Sequence, residues 1–325
     1  MTTPTTPEEL REILTNPNTT QDEIEQLIER DPNPNLAPFK SKLKVKSQLI
    51  SQNIDDKWFN MVAREYRQKK YQEKIEGDFR GVKIVSEGDS WFQFPFLLKD
   101  VIDWISESDD YAAWSLDAAG DTLENMTSDL NIDKIVNAII DKRPDIFLIS
   151  GGGNDMFADG VFSELLNPFT PDLTPSEYLN TEFDKFIDEI IKLYRKLFEE
   201  ILRRFPGVKI ICHGYDYVIP RESGIFMGNN MRSKNIHNAS LQREIMKLAI
   251  DRLNAAQIKL VSEPRFRKSV FHVDCRGAVN QNNWFDEIHP NNDGFKSVAD
   301  RFKTVIEDIR VQKSLPVRLS TSNVK

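Results

Sequence analysis

Five short runs in this chain are apolar almost throughout instead of alternating with polar residues: VKIVSE at 82–87, AWSLDAA at 113–119, DIFLIS at 145–150, VKIICH at 208–213 and VFHVD at 270–274. A strand that is hydrophobic on both faces must be covered on both. Between the runs lie stretches with helical spacing of apolar residues, near 97–108, 122–142, 178–204 and 236–260, with a last one at 292–311. That alternation predicts an α/β fold over residues 79–311, a doubly wound parallel sheet with helices on both sides. Residues 312–325 (QKSLPVRLSTSNVK) have no periodicity and read as a frayed tail.

Residues 1–78 read differently, as a small helical module. A weak repeat with an offset of 14 residues opens it: Thr6 and Thr20 each stand as an N-cap before acids and before apolar residues at helical spacing. These are Leu10, Ile13 and Leu14, then Ile24, Leu27 and Ile28, and each copy ends at an Asn/Asp-Pro stop. A longer helix is expected over 55–76, carrying Trp58, Phe59, Val62 and Tyr66, with its basic run from Arg64 to Lys70 turned to solvent. Such a module can also serve as a docking unit for a protein partner.

Composition excludes several classes. The formal net charge of −8 is a poor match to a phosphate backbone, so no nucleic-acid partner is expected. The first residues, MTTPTTPEELREIL, lack the charged and apolar regions of a secretory signal, and no apolar run approaches the roughly 20 residues of a membrane helix. Cys212 and Cys275, the only cysteines, lie in or beside apolar runs and read as buried thiols of a cytoplasmic protein.

In open parallel sheets, ligands bind where the carboxyl ends of the strands meet their loops. Four of those ends here carry reactive groups. The first run continues into EGDSWF with Ser90, the second into AAGDTL with Gly120, and the third into SGGGNDMF with Asn154. After the fifth comes WFDEIHPNNDGF, in which Asp286 and His289 are three residues apart. A serine alone is as readily a helix N-cap. With its companions it reads as a nucleophile, because a hydroxyl needs a base such as His289, and the imidazole needs an orienting acid such as Asp286. Ser90 N–H, Gly120 N–H and the Asn154 side-chain amide can then receive the negative charge of a tetrahedral intermediate.

In their order, GDS at 88–90, Gly120, Gly-x-Asn-Asp at 152–155 and Asp-x-x-His at 286–289 resemble the blocks of the SGNH (GDSL-type) hydrolases. The resemblance spans about residues 80–311. It implies a flavodoxin-like three-layer α/β/α fold and an esterase, lipase or carbohydrate deacetylase with no metal or cofactor. Its substrate would be a small-molecule or lipid ester. Carried over, Ser90 is nucleophile, His289 base and Asp286 its orienter, while Ser90, Gly120 and Asn154 form the oxyanion hole. Trp91 and Phe92 stand where the family usually has a smaller aliphatic residue.

The remaining polar residues admit two readings each. Trp91 and Phe92 can wall the substrate pocket or anchor the next helix, and His213 can line the pocket or be a hydrogen-bonded structural histidine. Tyr215, Asp216 and Tyr217 follow the fourth run and are possible site-wall residues. Asp89 and Asp155 read as loop braces, His272 as core, and His237 as a helix start. The Gly- and Pro-bearing stretches 157–178 and 218–234 are either lids or segments that pack on the N-terminal helices. A metal-dependent phosphoesterase also uses Gly-Asp and Gly-Asn-Asp turns, but it needs clustered ligands, and the chain has four histidines, scattered among its motifs.

Overall fold

The computed structural model describes residues 4–30, 43–46, 54–157, 160–222 and 224–314. Its main sheet has five parallel strands: β3 (Val82–Gly88), β4 (Tyr111–Ser115), β5 (Ile146–Ser150), β6 (Lys209–His213) and β7 (Val270–Val273). They lie in the order β4-β3-β5-β6-β7, so the order reverses beside β3 and opens a crevice at its carboxyl end. All five residues of β5 are buried, as its unbroken apolar run requires. Helices cover both faces: α4 (Val101–Ser106) packs against α12 (Asn292–Ser314), while α9 (Thr181–Arg204) packs against α11 (Ala239–Val261). The expected three-layer α/β fold is the observed one.

Several boundaries move. The second strand stops at Ser115, and Leu116 to Gly120 form the loop that follows it. The helix expected over 122–142 is two, α5 (Leu123–Met126) and α6 (Asp129–Lys142), because Ser128 between them is extended at φ −61°, ψ 150°. The stretch 97–108 is helical only over α4, whose N-cap Asp100 accepts hydrogen bonds from Ile102 N–H and Asp103 N–H. Helix α12 runs on to Ser314, three residues into the expected tail, and residues 315–325 lie outside the described residues.

In the N-terminal region, α1 (Pro7–Leu14) and α2 (Gln21–Leu27) are capped by Thr6 and Thr20 as their sequences predict. The region is not wholly helical, however. Ile28–Arg30 (β1) pairs antiparallel with Leu43–Val45 (β2), so β-branched Ile28 ends the second repeat as a strand. The stop at Asp31-Pro32 lies outside the described residues. Helix α3 spans Asp56–Ile75, close to the expected 55–76, and Phe59 and Val62 bury with Leu10, Leu14, Leu27, Ile28 and Val45. Trp58 joins that cluster, and so do Phe96 and Leu97 from the loop after Ser90. Trp58 and Phe59 are thus covered without the 157–178 and 218–234 segments.

The basic run on α3 is not simply a solvated face. Arg67 is buried; its Nε lies 3.1 Å from Asp103 Oδ1, one terminal nitrogen donates to Phe92 O at 2.5 Å, and the other pairs with Asp100. Burial opposes its charge, but the carboxylates of Asp100, Asp103 and Asp117 outweigh that and hold the guanidinium protonated. Asp100 also accepts from the backbone N–H groups of Phe94, Ile102 and Asp103; burial pushes its carboxyl well above the usual range, against the pull of Arg67 and of these donors. Two edge-on aromatic rings, Tyr71 and Trp114, seat the end of α3 on β4, with centroids 5.5 Å apart.

Candidate active site at the carboxyl edge of the sheet

Strand β3 ends at Gly88, and Ser90 sits on the turn that leaves the sheet. Gly88 is needed here for closeness rather than for an unusual backbone: a Cβ there would lie 2.7 Å from Phe92 Cδ2, so the turn could not fold back on itself. The Asp286–His289 turn is preformed by its own acid. Asp286 Oδ1 accepts from Ile288 N–H at 3.0 Å and from His289 N–H at 2.9 Å. Both carboxylate oxygens also lie 2.9 Å from His289 Nδ1. An acceptor pair at Nδ1 puts the ring proton there and leaves the Nε2 lone pair free. That nitrogen is 2.7 Å from Ser90 Oγ. Residues 199 apart in sequence are therefore joined in one hydrogen-bonded row, and all three are under a tenth exposed.

Trp91 joins the two turns directly. Its indole N–H donates to Ile288 O at 3.0 Å, which ties the residue after the serine to the residue before the histidine. The rings of Phe94 and Phe226 meet the His289 ring edge-on, with centroids 4.9 and 5.9 Å away.

Gly120 and Asn154 reach the same edge from the loops after β4 and β5. Gly120 has φ +83°, a conformation that side chains other than glycine adopt only under strain. Among the described residues, the backbone N–H groups of Ser90 and Gly120 donate to no protein acceptor. Asn60 on α3 grips the preceding residue: its Oδ1 accepts from Ala119 N–H at 2.8 Å, and its Nδ2 donates to Ala119 O at 3.1 Å. Asn154 uses one amide hydrogen on Asp121 O at 2.7 Å and keeps the other. Asp155 braces this loop by accepting from Leu123 N–H and Glu124 N–H.

Beneath the serine turn lies a buried polar network that the sequence did not announce. Asp89 Oδ1 accepts from Trp91 N–H at 3.0 Å and from the Ser150 hydroxyl at 2.8 Å, and Asp89 Oδ2 accepts from the Tyr215 hydroxyl. The Tyr215 hydroxyl accepts in turn from Gly153 N–H at 3.0 Å. His213 Nε2 is 2.8 Å from Ser150 Oγ, and its Nδ1 accepts from Tyr215 N–H. Burial pushes the His213 pKa down to about 3, so it is a neutral donor through Nε2. Burial likewise pushes the Asp89 carboxyl up, against the pull of its hydrogen-bond donors.

The structure sorts the five wall residues. Trp91 and Tyr215 line a narrow cavity beside Ser90 and Asn154, with Met156, Phe157, Val218 and Leu253. Phe92 does not. It is fully buried, stacked on His213 and edge-on to Phe302, because the chain turns its ring back into the core. His213 is also fully buried, as a structural histidine of the network. Tyr217 points elsewhere: its hydroxyl donates to Asp251 at 2.8 Å, beside Arg276 and Lys247. Asp216 caps backbone N–H groups of Gly277 and Val279. His272 is half-buried on β7 against Gln257, and exposed His237 precedes the N-cap of α11. Tyr215 carries one signal that could have been weighed more: a tyrosine two residues past a strand end, directly after a glycine; in the structure its backbone is left-handed, at φ +65°.

Among the described residues, no group of three or more His, Cys, Asp or Glu side chains is arranged to hold a metal ion. No described helix is long and apolar enough to cross a membrane. Both cysteines are free and buried.

No protein-family model matches the chain, and no curated protein matches it. Solved structures are similar to it at low identity. A family 3 carbohydrate esterase from Talaromyces cellulolyticus is 15% identical, with 71% of this chain and 99% of that chain covered and a TM-score of 0.43. A family 3 carbohydrate esterase of Clostridium thermocellum is 14% identical over 72% of this chain and 99% of that one, with a TM-score of 0.44. A lipase from a goat rumen metagenome is 14% identical over 69% of this chain and 96% of that one, with a TM-score of 0.46.

Proposed function

We propose that this chain is a serine hydrolase of the SGNH type that cleaves a carboxylic ester through an acyl-enzyme. The observation that carries the proposal is the row from Ser90 Oγ through His289 Nε2 and Nδ1 to Asp286, with links of 2.7 and 2.9 Å. Ser90 Oγ attacks the ester carbonyl carbon as its proton passes to His289 Nε2, and Asp286 stabilises the imidazolium. The carbonyl oxygen, now negative, lies against Ser90 N–H, Gly120 N–H and the second Asn154 amide hydrogen. Collapse expels the alcohol, which takes the proton from His289. Water, deprotonated by the same nitrogen, then releases the acid and regenerates Ser90.

The acyl group in this reading is short. The cavity next to Ser90 has a volume of about 20 Å³ and an almost wholly apolar wall, which suits a group the size of a methyl rather than a long chain. An acetyl ester, as on an acylated sugar, fits it.

Three experiments test this. A fluorophosphonate should label the protein once, and peptide mapping should place the label on Ser90; labelling elsewhere, or none, removes the serine mechanism. Across p-nitrophenyl esters from acetate to palmitate, kcat/KM should fall as the chain lengthens, and a preference for palmitate would refute the short acyl site. Asn154→Ala should lower kcat about 100- to 1000-fold with KM little changed, since the amide is invoked for the intermediate and not for the ground state. A changed KM at constant kcat would assign Asn154 to substrate binding instead.

A further inference from the structure

Between Asp286 and His289 stands Glu287, an acid that the proposed reaction does not use. It is 2% exposed. Its carboxylate nonetheless has a full set of partners, all of them backbone N–H groups of one segment. Oε1 accepts from Arg221 and from Gly228, both at 3.0 Å. Oε2 accepts from Phe226 at 2.8 Å and from Met227 at 3.2 Å. Four donors replace the water that the buried charge gave up. The backbone of Glu287 adds a fifth link, since its carbonyl accepts from Ile219 N–H at 3.0 Å.

The segment is built around this carboxylate. A Cβ on Gly224 would lie 1.9 Å from Glu287 Cδ, so only glycine permits the approach. The Arg221 side chain reaches Trp284 O and Phe285 O, at the start of the same turn. Phe226, whose N–H is held by Oε2, is the residue whose ring meets His289 edge-on at 5.9 Å. Asp286 and Glu287 therefore hold the histidine from two sides. One carboxylate fixes the ring through Nδ1, and its neighbour fixes the aromatic wall that the ring rests against.

We propose that Glu287 is a positioning residue: its carboxylate clamps residues 219–222 and 224–228 to the histidine turn, making them a fixed wall of the site and not a lid that opens in turnover. The proposal rests on the serine-hydrolase reading, because what it positions is the base of that reaction.

Two variants approach the clamp from opposite sides. Glu287→Gln keeps the size of the side chain but turns half of its head into N–H donors facing N–H donors. Gly224→Ala leaves the histidine turn untouched and pushes the segment off the carboxylate. In both, kcat for p-nitrophenyl acetate should fall about tenfold or more at a temperature where circular dichroism shows the native fold, with KM changed less than kcat. Backbone amides of 224–228 should exchange with deuterium faster in both variants, while those of β5 keep their protection. Glu287→Asp should not rescue, because its shorter side chain cannot reach the four donors together.

Wild-type exchange at 224–228 as fast as in the variants would overturn the proposal by showing a segment that already opens. So would freed amides with an undiminished kcat, since the wall would then not position the base. A wild-type protein that neither cleaves the ester nor takes the fluorophosphonate would bring down the serine-hydrolase reading itself, and the positioning role with it.

Discussion

Ser90→Ala yields a folded protein whose ester turnover is lower by about ten-thousand- to a million-fold. In the proposed mechanism the hydroxyl forms the covalent bond, so the loss is large: nothing else in the row can take its place. The amides of Ser90 and Gly120 and the side chain of Asn154 remain, so a residual rate above that in water persists. Stability is little affected. The substitution removes one hydroxyl from a 2.7 Å contact with His289 and leaves a backbone that alanine adopts freely. Steady-state kinetics with p-nitrophenyl acetate, beside a thermal melt, separates the two effects. A variant that keeps wild-type turnover means that Ser90 is a capping residue and that the ester chemistry is elsewhere.

Arg67→Ala costs about 3–5 kcal/mol of folding stability, the largest stability effect expected for a single substitution here. Removing the guanidinium strands Asp100, which is fully buried, and withdraws a donor from Phe92 O in the turn that follows Ser90. Arg67→Lys should recover part of the loss, because an ammonium restores the charge without the planar fork that spans Asp100 and Asp103. Urea unfolding would report the change as a lower midpoint at similar slope, and a thermal melt as a fall of roughly 10 °C. A loss below about 1 kcal/mol would show that this ion cluster behaves like a surface pair. The same substitution ties the N-terminal region to the site. Its helix α3 carries Arg67 and Asn60, and Asn60 holds Ala119 next to Gly120.

The legible parts of the fold were those that depend on local pattern. Strand β5 could be read from DIFLIS because a doubly covered strand is apolar almost throughout, and helix α3 from its caps and apolar spacing. Strand β1 could not be read, because Ile24, Leu27 and Ile28 continue a helical period and only pairing with Leu43–Val45 turns Ile28 extended. Lysines and arginines at helical spacing look alike in sequence whether solvated or buried. Arg67 is set apart by Asp100, 33 residues away, and no local rule reports that.

For the candidate site, Ser90, Gly120, Asn154, Asp286 and His289 could be grouped in advance because parallel strands deliver their loops to one edge, so position in the strand order implies proximity. Wall residues were harder. Phe92 and Tyr217 sit next to site residues in sequence yet face away, since successive side chains leave a turn in different directions.

By itself, the sequence determined the alternation of strand and helix and the chemical groups at each strand's end, since both follow from periodicity and residue type over a few positions. Only the tertiary structure decided which buried charges meet, that the Glu287 carboxylate accepts from the backbone of Arg221, Phe226, Met227 and Gly228, and that Asp89, Ser150, His213 and Tyr215 form one hydrogen-bonded network. Those pairings depend on distances between segments far apart in the chain, which packing sets and local pattern does not encode.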